Sequence, residues 1–346
     1  MKNLLLAVAG SLTLAGGPAL AQTAPAAAPY RLLHTIAVGG EGGWDYLNVD
    51  PAGERLYLSH GTQVEVVDLK TRKVIGTIPN TPNVHGIEVV PSANRGYITC
   101  GRSNTCVVFD LTTLRPIGAP IATGLKPDAL LYDSFSKRVF LFSNNGGKST
   151  VLNAATGAVE GTAELDGDIE ATATDGKGHI FANVEDKSEV IEFDAKTLAV
   201  RQRHKLAPGE EPTGLGYDPK TNRLFSACHN EKLVVTDSKT GKQVAVLPIG
   251  AGVDGAVFDP STNNVVTSNG GAGTFTVIHQ DSPTTYTVVA NMPTAKGART
   301  IAIDPKTHHI FTCTADLGPT PPATTDIPRP RPSIVPGTFR VLEYGR

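Results

Sequence analysis

The stretch GGWDYLNVDP, Gly42 to Pro51, decides the fold because the chain repeats it. Its echoes are PNVHGIEVVP from Pro82, LKPDALLYDS from Leu125, GDIEATATDG from Gly167, EEPTGLGYDP from Glu210, AGVDGAVFDP from Ala251 and KGARTIAIDP from Lys296. Six of the seven copies carry Asp followed by Pro, Gly or Ser near their end, which is a turn signal. Five residues before that turn the frame holds a residue that keeps changing: Asp45, His85, Asp128, Glu170, Thr213, Asp254 and Arg299. These positions are spaced 40, 43, 42, 43, 41 and 45 residues apart.

A period near 40–45 residues with four short strands per unit predicts an all-β, seven-bladed β-propeller. The fifth unit shows the strands most plainly. TGLGY reads as strand A, RLFSAC as B, KLVVTD as C and QVAVLP as D. Between C and D lies DSKTGK, from Asp237, repeated as DLKTRK from Asp68, DLTTLR from Asp110, NAATGA from Asn153 and DAKTLA from Asp194. An Asp or Asn that bonds its own backbone closes a hairpin, so these residues are assigned to structure. The seventh unit lacks a strand D, while RLLHTIAV from Arg31 has that character and no strands A to C before it. The N-terminal strand is therefore expected to close the last blade, removing an open edge.

The chain opens MKNLLLAVAGSLTLAGGPALAQ, with a charged start, a short apolar run and Ala19-Leu20-Ala21 as a cleavage motif. Residues 1–21 are read as a signal peptide, 22–29 as an Ala/Pro linker and 30–346 as the propeller. This predicts export to a periplasm or the cell exterior, no membrane span after cleavage, and a monomer. Net charge is −2, with no basic stripe, which argues against a nucleic-acid partner. The Gly-rich SNGGAG at Ser268 has no helix after it, so no nucleotide is expected. Cys100 and Cys106 flank a hairpin-like turn and are candidates for a disulfide. A competing reading groups His60, His85 and Cys100 as a soft-metal site.

On the strand B runs RLYLSH and RLFSAC and the D-x-K-T-G-K turns, the units resemble the YVTN-type repeats of YncE-like exported bacterial propellers. The resemblance implies a seven-bladed propeller, and binding more often than catalysis. One departure is the Pro-rich insertion ADLGPTPPATTDIPRPRPSIVPG, residues 315–337, expected to hang over one mouth of the channel as a lid. A single Trp argues against quinone-dependent propellers whose blades dock through tryptophans.

The changing residue starts strand A, so the seven are expected to ring one mouth of the channel. The ends of strand B should reach the same face, adding His60, Asn183, His229 and Asn269. Crowded carboxylates raise one another's pKa unless a cation sits between them. Asp45, Asp128, Glu170 and Asp254 are thus candidate ligands for a divalent cation, Ca²⁺ first. Alternatively, Arg299 and a protonated His85 balance the acids internally. The leading functional expectation is a small ligand or cation bound at this mouth. A second is a metal-assisted lactone hydrolase or lyase, with His85 as base, His60 as its substitute and Arg299 as oxyanion partner. A third is a scaffold for a protein partner.

Overall fold

The computed structural model describes residues 29–324 and 330–346. The expected signal peptide, residues 22–28 of the linker and residues 325–329 of the insertion lie outside the described residues. Seven antiparallel four-stranded sheets form the ring of a seven-bladed β-propeller, and the only helical elements among the described residues are two short 3-10 turns. The blades are numbered here in chain order, with strands A to D running outward from the axis.

The sequence pattern places the strands closely. In blade 5 strands B, C and D span Arg223–Cys228, Lys232–Asp237 and Gln243–Pro248, as read from the pattern, and A spans Pro212–Asp218. Blade 7 is completed by the N-terminal strand, Arg31–Ala37, paired antiparallel to Arg340–Gly345. Ile36 of this strand is buried, and the Tyr30 hydroxyl just before it donates to Asp259 at 2.8 Å. Blade 2 departs from the pattern. Its outer strand is only Ile121–Ala122, because Pro116 and Pro120 remove ladder donors.

The turn aspartates at the end of strand A do the backbone work expected of them. Asp50, Asp133, Asp175, Asp218, Asp259 and Asp304 each accept a backbone N–H from two or three residues ahead, at 2.7–3.0 Å. The C–D turns follow the same rule at Asp68, Asp110, Asn153, Asp194 and Asp237. Hydrophobic clusters fill the spaces between sheets, such as Phe140, Phe142 and Phe193 between blades 3 and 4. Buried hydroxyls and one amide stitch inner strands together. Thr99 donates to the Asp128 carbonyl, Thr213 to Val253, Thr312 to Thr300, and the Asn183 amide to Gly214.

The candidate Cys100–Cys106 disulfide is not formed; all four cysteines are free and buried. Cys106 pairs with Thr99, not Cys100, so the two thiols point to opposite faces of the sheet. Cys100 packs between blades 1 and 2, and Cys106 between blades 2 and 3.

Candidate functional site

In five blades the changing residue sits in a register shift at the start of strand A. The shifts fall between Val84 and Ile87, Pro127 and Leu130, Ile169 and Thr172, Pro212 and Gly214, and Val253 and Gly255. A bulge frees one residue from the ladder and re-aims its side chain. In blades 1 and 7, Asp45 and Arg299 precede the paired strand altogether. All seven ring residues line one cavity of about 510 Å³ at the channel mouth.

Around the ring the charges alternate from blade 6 to blade 3. Arg299 reaches Asp254 through Nη1, and through Nη2 donates to the Trp44 carbonyl at 2.9 Å and Asp45 Oδ1 at 3.1 Å. Asp45 Oδ2 lies 2.6 Å from His85 Nδ1, and Asp128 Oδ1 lies 3.6 Å from the same nitrogen. Burial opposes ionisation of Asp45, but the His85 hydrogen bond and the Arg299 charge outweigh it and hold its pKa down. Burial likewise opposes the His85 imidazolium, yet the Asp45 bond and the Asp128 charge raise its pKa.

The far arc is acid-rich. Burial, then repulsion from Asp45, pushes Asp128 up to about 7. Burial, then Asp128 and Glu185, pushes Glu170 up to about 10, so Glu170 is a neutral acid at ordinary pH. Asn144 donates to both Asp128 Oδ2, at 3.3 Å, and Glu170. Burial raises Glu185 as well, and His229 Nδ1 stands 3.8 Å from it. Below the ring the Tyr46 phenol lines the channel, and burial with the nearby carboxylates raises its pKa well above the usual value.

Several sequence-based assignments change. The four acids Asp45, Asp128, Glu170 and Asp254 do not converge, because Arg299 stands between Asp254 and the rest. Arg299 commits Nη1 to Asp254 and Nη2 to the Trp44 carbonyl and Asp45, so most of its donors serve the ring itself. His60 is 1% exposed and packs on Phe339, ring centres 4.5 Å apart, outside the cavity lining. That separates it from His85 and removes the His60–His85–Cys100 grouping. Asn183 is consumed between blades 4 and 5, bonded to Gly214 and Ser226. Asn269 is consumed by Thr267, Thr274 and Thr276 within blade 6.

Two lining residues were missed for one reason. Asn144 and Glu185 follow the last residue of strand B directly, as His229 does, and this position, not the strand's last residue, faces the axis. Reading the repeat one residue later finds them. The same position is Gly101 in blade 2, where a Cβ would come within 2.7 Å of His85 Nε2. The insertion does reach this face. Arg331 lines both the mouth cavity and a smaller one of about 280 Å³ that adjoins it, walled by Trp44, Leu317, Pro332 and Ile334.

Among the described residues, Asp45, His85 and Asp128 are the one group of three possible metal ligands whose donor atoms lie within 4.8 Å of one another. No described helix is long and apolar enough to cross a membrane.

No family model and no curated protein matches the chain. Among solved structures, it is similar to a chain of the hydrazine synthase of Kuenenia stuttgartiensis, with a TM-score of 0.69 and 16% sequence identity. The match covers 86% of this chain and 96% of that one. At that identity the likeness establishes the seven-bladed propeller architecture and nothing about chemistry.

Proposed function

We propose that this chain is an exported propeller of the YVTN-repeat type that binds a small organic anion at the acidic/His/Arg mouth of its channel. The observation that carries this reading is the convergence of all seven ring residues, with Arg331 of the insertion, on one cavity. Arg331 has no hydrogen bond or ion pair with any described residue. It is thus an unspent cation at the mouth, with a planar fork suited to a carboxylate. The high pKa of Glu170 supports an anion, because a neutral carboxyl donates a hydrogen bond where a carboxylate would repel. The adjoining cavity by Trp44 gives room for an apolar portion of the same ligand.

The test is a thermal-shift and calorimetric titration with acetate, succinate and citrate, each against Arg331→Ala. Linkage predicts a higher melting temperature for the wild type with a carboxylate, and a shift reduced by half or more in R331A. Identical shifts in the two proteins would remove Arg331 from the reading, and no shift in either would remove the anion.

A catalytic reading has one observation in its favour. His85 is oriented by Asp45 at 2.6 Å, which is how a general base is held. A metal-assisted hydrolase or lyase using this pair would be recognised by turnover of simple lactones that His85→Ala abolishes.

A further inference from the structure

We propose that Asp45, His85 and Asp128 form a site for one first-row divalent metal ion, of which Zn²⁺ is the best match, on the wall of the mouth cavity. The proposal deepens the ligand-binding reading of the same mouth, and it rests on how the three side chains are held rather than on their acidity.

Each residue presents one donor atom inward while its other polar atom is anchored elsewhere. Asp45 offers Oδ2, and its Oδ1 is held by Arg299 at 3.1 Å. His85 offers Nδ1, and its Nε2 meets the Asn83 amide at 2.6 Å. Asp128 offers Oδ1, and its Oδ2 is held by Asn144 at 3.3 Å. Outer partners of this kind fix the orientation of metal ligands.

The second observation concerns Asp128 alone. The residue is 9% exposed, and its Oδ1 is buried with no hydrogen-bond partner. A buried carboxylate oxygen without a partner is costly. It points at His85 Nδ1 from 3.6 Å, too far for a hydrogen bond. Donor atoms around a first-row ion sit about 3–3.5 Å apart, given bonds of about 2.0–2.2 Å. The gap of 3.6 Å fits that spacing, and the 2.6 Å contact to Asp45 needs only a small opening once the Nδ1 proton leaves.

Chemistry selects the metal. One imidazole nitrogen with two carboxylates suits Zn²⁺ and its neighbours, whereas Ca²⁺ and Mg²⁺ prefer all-oxygen sites. Three protein ligands leave a position open toward the cavity, as in zinc sites that take up a substrate or water. Binding displaces the Nδ1 proton, so one proton is released to solvent when the imidazolium yields to the metal. With the metal on Nδ1, Nε2 keeps its proton and donates to the Asn83 amide oxygen, the amide being turned end for end.

The experiment titrates ZnCl₂ into chelator-treated full-length protein in a non-coordinating buffer, without any organic anion. One ion per chain is expected, with no displacement by Ca²⁺ at equal concentration. H85A and Asp128→Asn should each weaken Zn²⁺ binding about tenfold or more, and Asn144→Ala about tenfold through the lost anchor. His34→Ala, an exposed histidine on the closing strand, should change nothing. Co²⁺ should give visible ligand-field bands that H85A lacks. D128N is isosteric and keeps the test valid if H85A folds poorly. Zinc affinity unchanged in D128N or H85A, equal competition by Ca²⁺, or no uptake of Zn²⁺ or Co²⁺ would each overturn the site. A carboxylate-induced thermal shift that survives such a result would leave the ligand reading standing without the metal.

Discussion

Glu88 gives a prediction whose size follows from the structure. It lies on strand A of blade 2, Val84–Val90, three residues past His85, and lines a cavity of about 160 Å³ in the channel below the mouth. The Val89 N–H donates to its Oε1 at 3.1 Å, and the Asn48 amide and the Tyr132 backbone also reach it. Burial outweighs these and raises its pKa from 4.5 to about 7. The folded state thus favours the neutral acid. Its contribution to stability is complete below pH 4.5 and is lost as pH rises through about 7. A gap of about 2.5 pH units at about 1.4 kcal/mol each sets a ceiling of about 3.5 kcal/mol. The effective dielectric of a protein interior lowers this to about 2–3 kcal/mol. Unfolding entropy is about 2.1 cal/mol/K per residue, so a chain of this length melts about 3–5 °C lower for that loss. Glu88→Gln keeps the size and the hydrogen bonds but cannot ionise. Scanning fluorimetry should find wild type and E88Q melting together at pH 4.5, and E88Q about 3–5 °C higher at pH 8.5. An offset that is the same at both pH values would refute the assignment of the pH dependence to Glu88.

Two further outcomes test the frame. Deleting residues 30–38 removes the closing strand and the Tyr30–Asp259 bond, and exposes the edge of Arg340–Gly345. The truncated protein should aggregate or lose cooperative unfolding, and a melt like that of the full chain would refute the pairing. Thiol titration of denatured, non-reduced protein should find four free thiols, and two would restore a disulfide.

The propeller was legible because its signals are local and repeated. The turn aspartates and strand runs such as RLFSAC each specify a short element, and seven copies leave little freedom in how they assemble. Blade 2 was harder, since its prolines shorten strand D without erasing the repeat. The mouth was legible in its first ring and misread in its second. His60 and Asn269 end strand B and Asn183 stands one residue short of its end, but strand residues alternate faces, so a register one residue off exchanges the core for the axis. The position after the strand's last residue was the one to read, as Asn144, Glu185 and His229 show. Cys100 and Cys106 failed for the same reason, because the spacing fits a hairpin while the pleat turns the side chains apart. Partnering within the ring was illegible, because which acid Arg299 takes depends on which blades are neighbours and how each bulge aims its residue.

The variability of the first ring has a structural cause. A residue in a bulge has no ladder duty, and of the five such residues only Thr213 has a backbone task, its hydroxyl donating to the Val253 carbonyl. The turn aspartate at the other end of the same strand must accept a backbone N–H in every blade that has it, so it stays Asp. Freed positions alone would give a random wet rim, yet the charges here are ordered. Asp254, Arg299, Asp45 and His85 alternate in sign across four neighbouring blades. The alternation ends at Asp128, and burial then raises Asp128, Glu170 and Glu185, with repulsion from Asp45 adding to Asp128 and repulsion from Asp128 and Glu185 adding to Glu170. Alternation on one side fixes His85 and Asp45 in place. Crowding on the other leaves a buried carboxylate oxygen unmatched beside them. A nearly sevenfold scaffold thus carries a ring with a distinct direction, and a ligand or ion entering it meets one wall of settled pairs and one wall whose charge is still unmatched.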